Sequence, residues 1–135
     1  VCSSDLDEFV GLNKEQRLDV LHALGDEAAR HFTKVLPEAL ERFSHVLLLT
    51  HVPPYREACW YDGHISNDEW LPHFSCRAVG DVLVSIMAQH PDKRLTVLCG
   101  HTHGEGECLP LPNLRVLTGG AEYGHPAVQQ VLEVE

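Results

Sequence analysis

The chain has 135 residues, a formal net charge of −10 and 44% hydrophobic residues. That apolar content supports one globular core, and no apolar run is long enough to span a bilayer. The acidic balance disfavours nucleic acid and anionic membranes as partners, so any bound phosphate is expected to be held by local chemistry such as metal ions.

The first residues stand apart. Val1-Cys2-Ser3-Ser4-Asp5-Leu6 resembles the translated tail of a common sequencing adapter, and the chain opens without Met. Residues 1–6 are therefore expected to be non-native, with a native domain over residues 7–135 and no signal peptide. Cysteines stand at 2, 59, 76, 99 and 108, with no C-x-x-C pair. An odd count without that spacing reads as reduced thiols in a cytoplasmic protein.

Asn13-Lys14-Glu15-Gln16 has the form of a capping box. Leu18, Leu21 and Leu24 then recur at helical spacing. Gly25-Asp26 is expected to interrupt or bend this helix, and Pro37 to open a further turn. Residues 45–50 read as an apolar strand ending at His51, and Pro53-Pro54 stiffens its exit.

Residues 55–74 hold Tyr55, Trp60, Tyr61, Trp70 and Phe74 in a long stretch of weak periodicity. They read either as a wall of a substrate site or as a self-packed aromatic loop. Tyr55, Arg56 and His64 are its candidate substrate contacts. Ser75 is expected to cap a helix carrying Val79, Val82, Leu83, Ile86 and Met87, the crossover of a βαβ unit.

Residues 95–99 form a second apolar strand, followed by Gly100-His101-Thr102-His103. Pro110 and Pro112 are expected to keep the next segment irregular. Residues 114–118 read as a strand and 128–134 as a closing strand. Glu122, Tyr123 and His125, near the glycine-rich end of a strand, read either as pocket lining or, more simply, as a plain turn.

Two strands thus end in histidine, and α/β sheets carry their sites just beyond the carboxyl ends of strands. Side chains two apart in an extended segment point the same way, which would aim His101 and His103 at one site. Neutral imidazole is the commonest metal ligand.

Thr50-His51-Val52-Pro53-Pro54, followed some fifty positions on by Gly100-His101-Thr102-His103, resembles the C-terminal half of a calcineurin-like metallophosphoesterase. The family's earlier motifs, D-x-H, G-D-x-x-D and G-N-H-[DE], do not stand in their places. Gly25-Asp26 has Ala29 where the second Asp would be, and Asp62-Gly63-His64 comes after His51; both read as chance. The resemblance implies an α/β fold, part of a four-layer α/β/β/α sandwich with a mixed sheet flanked by helices. It implies two divalent transition metal ions (Mn, Fe, Zn or Ni), with His51 and His101 binding one and His103 the other. It implies hydrolysis of a small-molecule phosphoester by a metal-activated hydroxide. The general-acid histidine and the remaining ligands belong to the motifs absent here, so the chain alone is expected to be inactive, with an apolar sheet face exposed and prone to aggregate.

Other hydrolytic patterns fit worse. Glu105 and Gly106 stand where H-x-H-x-D-H needs Asp and His, and no H-E-x-x-H or G-x-S-x-G occurs. A non-catalytic metal-binding domain, or a scaffold on the same fold, is the alternative.

Overall fold

The structure, a computed structural model, describes residues 9–67 and 75–133. The six residues expected to be non-native lie outside that range, as do Trp70, His73 and Phe74.

Helix α1, Lys14–Arg42, starts at the expected capping box. The Asn13 side chain accepts from the Gln16 amide at 3.0 Å, and the Gln16 side chain accepts from the Asn13 amide at 3.0 Å. The expected break at Gly25-Asp26 does not occur, nor does a new turn at Pro37; both lie inside one continuous helix. Pro37 removes one helical hydrogen bond, at a cost of about 3 kcal/mol in a helix interior. Leu36 and Leu40 flank it and are almost fully buried. Each such side chain gains about 1.5–3 kcal/mol from burial, enough to carry the helix through. Gly25 has a packing reason: a Cβ there would sit 3.2 Å from the Cys76 sulfur at the start of the next helix.

Strand β1 is His45–Leu49. A short 3₁₀ turn, Arg56–Ala58, leads to a hairpin of β2, Trp60–Tyr61, and β3, His64–Ile65. Its two-residue loop is Asp62-Gly63, both with positive φ, 49° and 75°. Asp-Gly favours this left-handed pair, the geometry of a tight hairpin turn. The stretch expected to be one long loop therefore contains a hairpin.

Helix α2, Arg77–Ala88, takes Cys76 rather than Ser75 as its N-cap, with no side-chain cap. It connects β1 to β4, Arg94–Cys99, which pairs parallel to β1 as a βαβ crossover requires. Strand β5, Gly106–Leu111, contains Pro110, so the expected irregular segment is a strand. It lies at the sheet edge with an irregularity between Cys108 and Leu111, where a residue without an N–H is tolerated. Strand β6, Leu114–Thr118, pairs parallel to β4 and antiparallel to β5. The sheet order is β1-β4-β6-β5. The closing strand expected over 128–134 does not form: the described residues after Thr118 carry no helix or strand.

The two α-helices of the described residues cover one sheet face. Leu48, Leu95, Val97, Leu114 and Val116 pack there with Leu36, Leu40, Leu83 and Met87. The architecture is thus mixed α/β, a helix pair on a four-stranded mixed sheet. On the opposite face the register aligns Leu49, Leu98 and Leu117 in one row. Leu49 is 74% exposed. Arg115 and Glu107 form an ion pair on that face at 2.8 Å.

Candidate metal centre

The carboxyl ends of β1 and β4 lie side by side, and the ladder continues past both strands. Thr50 N–H donates to Leu98 O at 3.0 Å, and Gly100 N–H donates to His51 O at 3.1 Å. This backbone pairing puts the residue after Gly100 next to His51. His101 Nδ1 lies 3.0 Å from His51 Nε2, and the two rings meet edge to face at 4.9 Å between centroids. His51 is exposed and His101 half-buried.

The alternation expected for His101 and His103 is not what the backbone does. Both residues adopt positive φ, 68° and 63°. A non-glycine residue there costs roughly 1–2 kcal/mol, and such residues cluster at functional sites. The twist sends the two rings apart. His101 meets His51, while His103 packs edge to face on Tyr123 at 4.7 Å. Between them Thr102 is 2% exposed, and among the described residues its hydroxyl has no hydrogen-bond partner.

Two neighbours hold the histidine loop. Gly104 N–H donates to Trp60 O at 3.1 Å, and Ala121 N–H donates to His103 O at 3.1 Å. A Cβ on Gly104 would lie 2.4 Å from that same Trp60 oxygen, and one on Gly106 would lie 2.2 Å from the Trp60 indole nitrogen. The hairpin thus closes directly on the loop. The sequence signal for it is Asp62-Gly63, a pair that favours a two-residue hairpin turn.

The pair passes a simple fit test. Imidazole nitrogen binds transition metals at about 2.1 Å, so two adjacent ligands on an octahedron are about 3.0 Å apart. His51 Nε2 and His101 Nδ1 have that separation. In their direct contact one nitrogen donates its proton to the other; to bind a metal both nitrogens must be unprotonated and both rings must turn their lone pairs off that line onto the ion. The pair supplies only two ligands: among the described residues no group of three or more His, Cys, Asp or Glu side chains could hold a metal ion.

The candidate substrate contacts are placed as follows. Tyr55 donates its hydroxyl to Gly80 O at 2.9 Å, which ties it to α2. Burial, then nearby Cys108 and Asp81, push its ionisation upward. Arg56 is exposed on the 3₁₀ turn. His64 is exposed on the hairpin, with Nδ1 2.9 Å from Asp62 O. Glu122 and His125 form the expected turn, with His125 N–H donating to Glu122 O at 3.1 Å. This turn, with His103, Glu105 and Tyr123, borders a surface hollow.

No family model, curated protein or solved structure matches the chain.

Among the described residues cysteines 59, 76, 99 and 108 form no disulfide. Burial, then nearby Cys99, Glu57 and Cys108, push the Cys59 thiol up to about 12. Burial, then nearby Glu57, Cys99 and Glu107, push Cys108 up to about 11. At neutral pH both are protonated and poor nucleophiles or ligands.

Proposed function

We propose that this chain carries part of the metal centre of a cytoplasmic, calcineurin-like metallophosphoesterase that hydrolyses a small-molecule phosphoester. The observation that carries the reading is the 3.0 Å approach of His51 Nε2 and His101 Nδ1 at the ends of adjacent parallel strands. It coincides with left-handed backbone at both histidines of Gly100-His101-Thr102-His103.

In this reading His51 and His101 bind one divalent transition metal (Mn, Fe, Zn or Ni), and His103 binds a second. Such a pair of ions supplies a hydroxide nucleophile near neutral pH and neutralises charge on the phosphoryl oxygens. The chain's own residues set the ligands in place. The Gly100–His51 backbone bond fixes the spacing of the first two rings, and His103, which packs on Tyr123, would have to turn toward them to share the centre. The remaining ligands and the general acid come from residues outside this sequence. They arrive with a second sheet that covers the Leu49, Leu98 and Leu117 row and completes a four-layer sandwich.

A set of only two donors favours one other reading, a non-catalytic metal-binding or scaffold domain on the same fold. Sequencing the source DNA upstream of Asp7 separates the two. A frame running into D-x-H, G-D-x-x-D and G-N-H-[DE] supports the enzyme. The product of that frame should then hydrolyse a chromogenic phosphodiester with added metal, and lose this on His51→Ala or His101→Ala. A native start codon or an unrelated domain upstream rejects hydrolysis and leaves the binding role.

A further inference from the structure

A cavity of about 630 Å³ lies between α1, the end of β1 and the start of α2. Its walls include Leu21, Leu24, Ala28, Val52 and Val79, and His51 forms part of its boundary. Cavities of this size, mostly apolar with a few polar groups, are the usual form of a small-molecule site. Leu24, on the wall, is 42% exposed, so an apolar side chain is presented to the cavity partly open to solvent. The polar wall groups do not suit a second anion. Asp26 is on the wall, and among the described wall residues Arg77 is the one Lys or Arg, its exposed side chain 3.4 Å from Asp81. The chain as a whole carries −10.

We propose that this cavity holds the uncharged, mostly apolar alcohol portion of the phosphoester. The inference rests on the phosphoesterase reading for its link to phosphate. It deepens that reading by naming a substrate class: an ester of a bulky apolar alcohol, not a pyrophosphate or a polyphosphate. A group in the cavity is beside His51, whose ring reaches His101. Its phosphate end then lies at the histidine pair, and its apolar end removes Leu21, Leu24 and Val52 from water.

The test is an amide NMR titration of the whole chain with 1-naphthol and, separately, with inorganic phosphate. Naphthol is expected to shift amides in residues 21–28 and 76–79 saturably, with Kd on the order of 0.1–1 mM for a ligand of this size. Leu24→Arg, at a partly exposed position, should weaken this about tenfold with an unchanged melting temperature, because a charge replaces apolar wall. Absence of saturable shifts in those residues overturns the proposal. So does equal binding by Leu24→Arg, or binding confined to the Leu49, Leu98 and Leu117 face. Metal uptake measured on His51→Ala and His101→Ala separates the two ideas. If naphthol binds in the cavity while metal uptake ignores both histidines, the pocket stands and the phosphoesterase reading falls. If uptake needs the histidines but naphthol does not bind, the pocket alone falls.

Discussion

Trp60 sits on the backbone of Gly104. The Trp60 carbonyl accepts the Gly104 N–H at 3.1 Å, and a Cβ at Gly104 would approach that oxygen to 2.4 Å. The hairpin and the histidine loop therefore meet backbone to backbone, with no room for a side chain. Gly104→Ala must push the loop off the hairpin. It should lower stability by about 1–3 kcal/mol, the usual cost of overpacking. Gly100→Ala is the control, because a Cβ there meets nothing within 4 Å. Paired urea melts of the two variants check this; equal losses would refute the clamp.

The His51–His101 pair should take up a divalent transition metal weakly, since two imidazoles fill only two of six octahedral positions. Either His51→Ala or His101→Ala should abolish uptake at this pair, because one ligand alone gains little. His103→Ala should leave it largely intact, because its ring lies on Tyr123. Cobalt titration followed by visible absorption, with chelator reversal, reads all three variants.

Gly63 isolates a backbone effect. Its φ is 75°, and a Cβ would meet nothing within 4 Å. Gly63→Ala should therefore cost about 1 kcal/mol through left-handed strain alone. Gly63→Asn should cost less, because Asn tolerates that region better. Thermal melts of the two variants give the comparison.

Alkaline pH should destabilise the fold through Cys59. The unfolded thiol ionises near 9.0 and the buried one near 12. Below pH 9 both states hold the proton, and the contribution is whole. Between about 9 and 12 only the unfolded chain releases it, so stability falls by about 1.4 kcal/mol per pH unit. Cys59→Ala should flatten that slope in urea melts at pH 8, 9.5 and 11. An unchanged slope would contradict the burial assigned to this thiol.

The open sheet face should drive self-association. Leu49 is 74% exposed beside Leu98 and Leu117. Leu49→Lys should lower the weight-average mass seen by sedimentation at a given concentration, with little change in melting temperature. Exposed apolar patches of this kind are sticky, and an added edge lysine is a natural remedy.

Local chemistry made several elements legible. The Asn13-Gln16 capping box, the apolar runs of β1, β4 and β6, and the periodicity of α2 each show within a few residues. So does the placement of His51 and His101 after strands, because a strand end is a local fact. What failed was what depends on distant neighbours. Pro37 and Gly25 read as breaks, yet burial of Leu36 and Leu40 and the approach of Cys76 kept α1 whole. Pro110 read as irregular, yet the sheet edge accommodates it.

The same division holds at the site. The sequence by itself determined which imidazoles stand at strand ends, through apolar runs that stop at His51 and at Gly100. Only the tertiary structure decided which of them meet. The parallel register of β1 with β4 brings His51 to His101, and left-handed backbone turns His103 away to Tyr123. Register and positive φ are set by packing across the sheet and against Trp60. Those contacts join residues some forty to fifty positions apart, a distance over which no local pattern carries information.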